Sequence, residues 1–155
     1  MAAEVAAAKF AGIISPGLVR LIASGVVYWP PAQGERYVFI YENTLGKPLM
    51  KQMKGGGLGW KQDSVMKNFI RPMVNVLLDF RDHDMVHGCI NPANIFDGGS
   101  DDGQDRVVLG ECLSTPPSYL QPALFEPVER ALTDDIAKGA GTIEDDMYAF
   151  GVTIT

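Results

Sequence analysis

The strongest regular pattern in the chain is a helical one that ends at a histidine. Apolar side chains recur at steps of three and four over residues 65–80, which is typical of an amphipathic helix with one buried face. Pro72 lies inside this run and predicts a kink or an internal helix start. Asp63 or Ser64 is positioned to cap the N-terminal end. The period stops at His87, so the helix delivers the chain to a loop.

Segments before this helix predict another helix and a pair of strands. Residues 2–14 favour helix by composition, and Ser15-Pro16-Gly17 is expected to end it. Residues 18–29 and 36–42 are rich in β-branched and aromatic side chains, and the turn-forming stretch WPPAQGE separates them. These two segments are therefore predicted to pair as antiparallel strands.

Segments after the helix predict two short strands and a final helix. NPANIF and RVVLGE flank the turn-forming stretch DGGSDDGQD, which is typical of a hairpin. The proline-rich stretch LSTPPSYLQPALFEP is too irregular for one regular element. Thr142 precedes a group of acidic residues and is predicted to cap the last helix. The fold class expected from the whole chain is α+β, mainly helical.

Composition and charge exclude several classes of protein. The chain has 155 residues and 46% apolar content, enough for one domain with a core. Its formal charge is −6 and its basic residues form no cluster, so neither a nucleic acid nor a membrane surface is an expected partner. No apolar run approaches the roughly 18 residues that span a bilayer. The two cysteines, Cys89 and Cys112, form no disulfide framework and predict a cytoplasmic location.

The stretch MVHGCINPANIF, residues 85–96, carries the most specific motif. HGCINPAN keeps the spacing of HRDLxxxN, the catalytic loop of protein kinases, including the final asparagine. SPGLVRLIASGVV and YVFIYENTLGKPL before it, and FEPVER and DDMYAFGVTI after it, follow in the order of kinase segments. The chain therefore resembles the protein kinase superfamily, as a degenerate serine/threonine kinase domain. The resemblance implies a partial fold, with a small-lobe remnant over residues 1–42 and a partial helical large lobe over residues 43–155.

Two positions of the loop carry residues that kinase chemistry does not use. In protein kinases an aspartate orients the substrate hydroxyl and accepts its proton. Cys89 stands at that place, and a thiol, with an ordinary pKa of about 8.5, is a poor equivalent of a carboxylate. Asn91 stands where serine/threonine kinases carry a lysine that faces phosphate. No catalytic residue is expected, and Cys89 and Asn91 are interpreted as degenerate positions.

The resemblance also implies where a nucleotide and a metal would bind. It places the hinge between the lobes at Glu42 and Thr44. Asn94 matches a magnesium-holding asparagine and Glu111 the metal-binding aspartate, so they form a candidate metal pair. The alternatives are a backbone-capping Asn94 and a solvated or salt-bridged Glu111. The phosphate loop and its lysine would precede residue 1, and KGGGLG lacks the glycine spacing to replace them.

Three residues receive structural roles from the resemblance. His87 is expected to pack and hydrogen-bond inside the loop, Asp146 to hold the loop backbone, and Glu129 to end the segment that matches Ala-Pro-Glu. Cys89 and Cys112 are expected to flank the cleft as buried thiols. A redox pair or a metal site with His87 is the alternative, although two thiols lack the four-ligand pattern of a zinc site.

The favoured function is that of a pseudokinase, a catalytically inactive kinase-like domain that acts as a signalling scaffold or regulator through protein contacts. No cofactor is then expected. One alternative is an atypical nucleotide-binding or active serine/threonine-type kinase that uses ATP and Mg²⁺, with its ATP loop outside the chain. The other alternative is an unrelated α+β binding module.

Two further segments bear on partners. The C-terminal GVTIT is apolar, so an exposed helix face is expected there to bind a protein partner or a second copy of the chain. The chain is accordingly expected to be a fragment of a longer protein or to self-associate. Four prolines within residues 113–127 predict a segment of fixed conformation.

Overall fold

The computed structural model describes residues 2–43, 45–53, 60–98, 106–117 and 119–155. The helices in this part of the chain are α1 (Ala2–Gly12), α2 (Leu49–Met53), α3 (Gln62–Val65), α4 (Arg71–Asp82), α5 (Val128–Ala131) and α6 (Ile143–Thr153). The strands form two antiparallel pairs, β1 (Leu21–Trp29) with β2 (Gly34–Tyr41) and β3 (Ile95–Asp97) with β4 (Val107–Leu109). The expected class, α+β and mainly helical, is confirmed. The KGGGLG stretch lies outside the described residues.

The long helix predicted before His87 is continuous from α3 through a π-helical turn, Met66–Ile70, into α4. Asp63 and Ser64 were wrong as capping residues. Lys61 is the N-cap, without a capping hydrogen bond from its side chain to the described residues, and Asp63 and Ser64 already lie inside the first helical turn. Residues within that turn have helical backbone, so their side chains are not placed to replace the cap.

Pro72 explains why the helix changes its pitch. Proline has no backbone N–H, and its ring crowds the carbonyl four residues before it. In this helix the Arg71 N–H bonds to the carbonyl of Met66, five residues back. The extra residue in that turn makes room for the ring, and regular α-helix resumes with Pro72 in its first turn. The predicted internal start is therefore observed as a π-helical turn.

One hydrophobic core joins the N-terminal elements to the helices. Phe80 of α4 is fully buried and meets Phe10 of α1 edge-on, with ring centroids 6.1 Å apart. Phe69 packs on Phe150 of α6 in the same geometry, at 5.9 Å. The buried cluster includes residues before and after residue 42. The division into two parts at that residue remains a prediction.

The small β3–β4 hairpin is fixed to the N-terminal segment by its last residue. The Leu109 N–H donates to the Gly17 carbonyl at 2.7 Å, and its own carbonyl accepts from the Val19 N–H at 2.9 Å. Leu109 is fully buried. This contact places the residues that follow β4 beside the loop that follows α4. Within the described ranges, no helix is long and apolar enough to cross a bilayer.

The start of α6 is set by the residue that the sequence predicted. Thr142 accepts a hydrogen bond from the Asp145 N–H through its side chain, and the Asp145 carboxylate accepts one from the Thr142 N–H at 2.8 Å. This reciprocal pair is a capping box. It fixes where the helix begins, and so it fixes the direction of the next carboxylate, Asp146.

Candidate functional site

His87 is buried at the centre of the loop between α4 and β3. The chain leaves the helix through two residues with left-handed backbone, Asp84 at φ 49° and Gly88 at φ 67°. The His87 ring nitrogen Nε2 lies 3.0 Å from the Gly110 carbonyl, and Nδ1 accepts from the Cys89 N–H at 3.2 Å. A carbonyl only accepts and an N–H only donates, so the two contacts select the neutral tautomer protonated at Nε2. Burial lowers the pKa of His87 to about 4.

Asp146 of α6 holds the backbone of the same loop. Its two carboxylate oxygens accept from the His87 N–H at 2.7 Å and from the Gly88 N–H at 2.8 Å. The side chain is buried, and burial raises the pKa of Asp146 to about 6 against the opposing effect of the two hydrogen bonds. The contact joins residues 59 and 58 positions apart in the sequence, so it fixes the loop on the final helix.

Cys89 stands on the same loop, half-buried, as a free thiol. Burial raises the pKa of Cys89 above its ordinary value, and the negative charge of Glu111 raises it further. The thiol is therefore protonated at neutral pH. A protonated thiol cannot accept a proton from a hydroxyl. The interpretation of Cys89 as a degenerate position remains a prediction.

Asn91 is turned into the loop. Its side-chain oxygen accepts from the Ala93 N–H at 3.0 Å, and its side-chain nitrogen lies 3.8 Å from the Cys89 sulfur. The residue is 3% exposed. Asn91 thus closes a local turn with its own backbone, the typical behaviour of a short amide side chain.

Asn94 joins the loop to the segment after β4. Its side-chain N–H groups donate to the carbonyl of Cys89 at 2.9 Å and to the carbonyl of Glu111 at 3.0 Å. The backbone contributes too, because the Gly110 N–H donates to the Asn94 carbonyl at 2.8 Å. Asn94 therefore has the backbone-capping contacts that were one of its two expected roles.

The Glu111 carboxylate closes a turn of its own. One oxygen, Oε2, accepts from the Leu113 N–H at 2.8 Å, the Ser114 N–H at 2.9 Å and the Tyr41 hydroxyl at 3.2 Å. Burial raises the pKa of Tyr41, and the charge of Glu111 acts in the same direction, so the hydroxyl remains a donor. This oxygen of the carboxylate is therefore hydrogen-bonded to the protein.

The two residues of the candidate metal pair, Asn94 and Glu111, are in contact. The atoms that meet are not two side-chain oxygens, which a shared metal ion would need. Asn94 and Glu111 meet at a side-chain N–H and a backbone carbonyl, whereas Mg²⁺ takes oxygen ligands. In the described residues there is no group of three or more His, Cys, Asp or Glu side chains that could hold a metal ion. The metal pair remains a prediction.

Of the two predicted hinge residues, the structure describes Glu42. The Glu42 N–H donates to the Arg20 carbonyl at 2.9 Å, which continues the β1–β2 ladder, and its side chain is exposed. Thr44 lies outside the described residues. The adenine-binding role of the two positions remains a prediction.

Glu129 is exposed in the structure, and its structural role at the end of the segment that matches Ala-Pro-Glu remains a prediction. It lies on the exposed side of the short helix α5. The buried carboxylate of this region is Glu126, 4% exposed, whose oxygen Oε2 pairs with the Lys138 ammonium at 2.8 Å. Sequence analysis missed both partners. The available signal was a glutamate enclosed by phenylalanine and proline, which places a charge in apolar surroundings.

Comparisons with known proteins give information on the fold. No protein family model and no curated protein sequence matches the chain. Solved structures do match, 296 chains in all. One is the crystal structure of Rad53 1-466 in complex with AMP-PNP, a protein kinase, with a TM-score of 0.71 and 16% identity. The match covers 98% of this chain and 36% of that one, so the chain spans about a third of that structure's length.

The comparison with solved structures shows the fold. The chain has a protein-kinase-like fold, as the resemblance of its loop predicted. Identity of 16% carries the fold alone. Activity and ligands depend on the side chains of the site and do not follow from the fold.

Replacing Gly110 with alanine is expected to lower the free energy of unfolding by about 1–3 kcal/mol, the usual cost of overpacking. A Cβ at this position would collide with the side-chain oxygen of Asn94 and lie 2.9 Å from the Phe96 ring. Gly25→Ala on β1 is the matched control, because a Cβ there meets nothing within 4 Å. Urea denaturation measures both. Equal stability of the two variants would contradict the tight contact between Gly110 and Asn94.

Proposed function

We propose that this chain is a pseudokinase, a kinase-like domain that does not transfer phosphate and acts in signalling through protein contacts. The observation that carries the proposal is the environment of Cys89. The sequence resemblance assigns this residue to the position of the proton acceptor, and its thiol is kept protonated by burial and by the charge of Glu111. Losing a general base commonly costs on the order of 10²–10⁴ in rate.

Two neighbouring side chains support the same proposal. Asn91, at the position of the phosphate-facing lysine, is uncharged and bonded to its own loop. Glu111, at the metal-binding position, uses one carboxylate oxygen for two backbone N–H groups and a tyrosine hydroxyl. Binding a metal through that oxygen would require breaking these bonds. The polar side chains of Asn91 and Glu111 are thus hydrogen-bonded to other groups of the protein.

A second candidate, a nucleotide-binding kinase-like domain, has one observation in its favour. Asn94 and Glu111 lie next to each other, joined by the 3.0 Å bond from the Asn94 side chain to the Glu111 carbonyl. If the Asn94 side chain and the Glu111 carboxylate rotated, their oxygens would be available to a Mg²⁺ ion bound with ATP. Binding of ATP with Mg²⁺ therefore distinguishes this second candidate from a pseudokinase that binds no nucleotide.

The protein contact in this proposal is assigned to the groove between α4 and α6. Met147, Leu78 and Val74 are 58%, 41% and 40% exposed and line this groove of about 280 Å³. Large apolar side chains exposed side by side are typical of an interaction surface. The proposal keeps the cytoplasmic location, in accord with free thiols at Cys89 and Cys112.

The test is a phosphoryl-transfer assay with radiolabelled ATP and Mg²⁺, together with thermal unfolding in the same solutions. We expect no transfer above background, and no stabilisation where a ligand at a hundredfold excess over its dissociation constant would add about 2.7 kcal/mol. Stabilisation without transfer would select the nucleotide-binding form of an inactive domain.

Phosphoryl transfer from ATP to any protein would contradict the proposal, provided that the loop around Cys89 and Asn94 catalyses it. The variants Cys89→Ala and Asn94→Ala establish this, because both alter the loop. Glu35→Ala is the control, since Glu35 is exposed on β2 and lies outside both the loop and the α4–α6 groove. Transfer lost in the first two variants and retained in the third would show that the chain is an active kinase.

A further inference from the structure

The buried carboxylate of Glu126 has one oxygen that is unpaired within the described part of the chain. Oε2 accepts from Lys138 at 2.8 Å, and the Glu126 side chain is 2% exposed. Its other oxygen, Oε1, has no hydrogen-bond donor among the described residues. A buried acceptor without a donor is costly and is rare in native proteins.

Gln121 presents a second oxygen of the same kind. Its side-chain nitrogen donates to the Ile90 carbonyl at 2.8 Å and to the Phe125 carbonyl at 3.3 Å, which fixes the orientation of the amide. The side-chain oxygen then faces away from both carbonyls. It is also buried without a donor in the described part of the chain.

Gln121 and Glu126, the residues that carry the two oxygens, line the same cavity. The cavity measures about 10 Å³, the space that the centre of one water molecule needs, and Gly88, Arg130 and Asp146 also line it. Two acceptors cannot satisfy each other, whereas a water molecule brings two donor hydrogens. A metal cation is less suited, because hard cations take six or more oxygen ligands and Lys138 already balances the Glu126 charge.

We propose that the cavity between Gln121 and Glu126 binds one water molecule, which donates a hydrogen bond to each unpaired oxygen. The completed network runs from Lys138 through Glu126, the water and Gln121 to the Ile90 carbonyl. It joins the proline-rich segment to the loop that carries Cys89. The inference does not depend on whether the cleft transfers phosphate.

The network gives a physical reason for order in residues 119–127 of the proline-rich segment. In protein kinases the equivalent loop is ordered by phosphorylation, through new pairs between arginine and phosphate. Here a carboxylate, an ammonium and a water are already in place. Residues 119–127 are therefore held against the loop without any covalent modification.

A high-resolution crystal structure of the chain tests the site directly. We expect one water within about 2.7–3.2 Å of both Gln121 Oε1 and Glu126 Oε1. An anomalous peak in the cavity after a thallium soak would overturn the assignment in favour of a monovalent cation. An empty cavity, or direct contact of the two oxygens through a protonated Glu126, would also overturn it.

Lys138, Glu126, the water and Gln121 are called the clamp below. Hydrogen exchange tests in solution whether the clamp orders the proline-rich segment. The Phe125 and Glu126 amides donate to the Pro122 and Ala123 carbonyls, so their exchange reports order in the segment. We expect exchange at least about tenfold faster in Lys138→Met than in the wild type. Asp135→Ala is the matched control, because Asp135 also pairs with Lys138, at 3.1 Å, but is 61% exposed.

The double variant E126L/K138M separates the clamp from general unfolding. Removing both charges leaves no lone buried charge, so the fold is expected to persist. Exchange of the α6 amides, which lie outside the clamp, then stays within about twofold of the wild type while the segment exchanges faster. Wild-type exchange of the Phe125 amide in both the single and the double variant would overturn the role of the network in ordering the segment.

Discussion

Replacement of Asp146 by alanine is expected to lower the free energy of unfolding by about 3 kcal/mol at neutral pH. The substitution leaves the His87 and Gly88 N–H groups buried without their acceptors. Each unsatisfied buried group costs about 1–3 kcal/mol. Part of this loss is offset, because the variant no longer has a charged carboxylate in a buried position. The cost of burying that charge is what raises the pKa of Asp146.

Chemical denaturation at neutral pH measures the effect, and Glu144→Ala controls for the position. Both residues lie in the first turn of α6, where a negative charge interacts with the helix dipole, but only Asp146 is buried. The control is expected to stay within about 0.5 kcal/mol of the wild type. A loss in Asp146→Ala no larger than in the control would mean that the loop does not depend on this carboxylate.

The Asp146→Asn variant is expected to be more sensitive to acid than the wild type, by about 3 kcal/mol between pH 7 and pH 4. His87 has its pKa lowered from 6.5 to about 4, so it stabilises the fold above pH 6.5, and that stability is lost as the pH falls to 4. Asp146 has its pKa raised from 3.8 to about 6, so its contribution has the opposite sign and stability increases as the pH falls through 6. In the wild type the two contributions nearly cancel.

The measurement is urea denaturation at pH 7 and pH 4 for both proteins, comparing the change within each. All other titrating groups are shared, so they contribute alike to the two changes. The absolute stability of Asp146→Asn is lower at both pH values, because an amide has one acceptor oxygen for two N–H donors. Equal changes in the two proteins would exclude the compensation between His87 and Asp146.

Local sequence patterns were enough to predict most of the elements. The apolar period over residues 65–80 predicted the long helix, because burial of one helical face requires that spacing. Thr142 predicted the start of α6, because a capping box is made by residues three positions apart. The spacing of HGCINPAN predicted a kinase-like loop, and the fold agrees. The Asp63 and Ser64 caps failed because propensity does not fix the first residue of a helix to within a turn.

The candidate site was predictable only in part. Cys89 could be singled out because a thiol differs in chemistry from the expected carboxylate in any environment. Three features could not be predicted. They are the burial that keeps the Cys89 thiol protonated, the hydrogen bond of Asn91 within its own loop, and the hydrogen bonds to the Glu111 carboxylate. They depend on which groups are buried together, and burial follows from the packing of distant segments.

The sequence by itself determined the order of helices and strands and the residue types of the loop, since these follow from periodicity and from chemical identity. Only the tertiary structure decided that Glu126, rather than Glu129, is the buried carboxylate, paired with Lys138 twelve residues later. The physical reason is that a carboxylate in the interior needs a partner brought there by the fold. No local pattern specifies which of two nearby glutamates the packing will enclose.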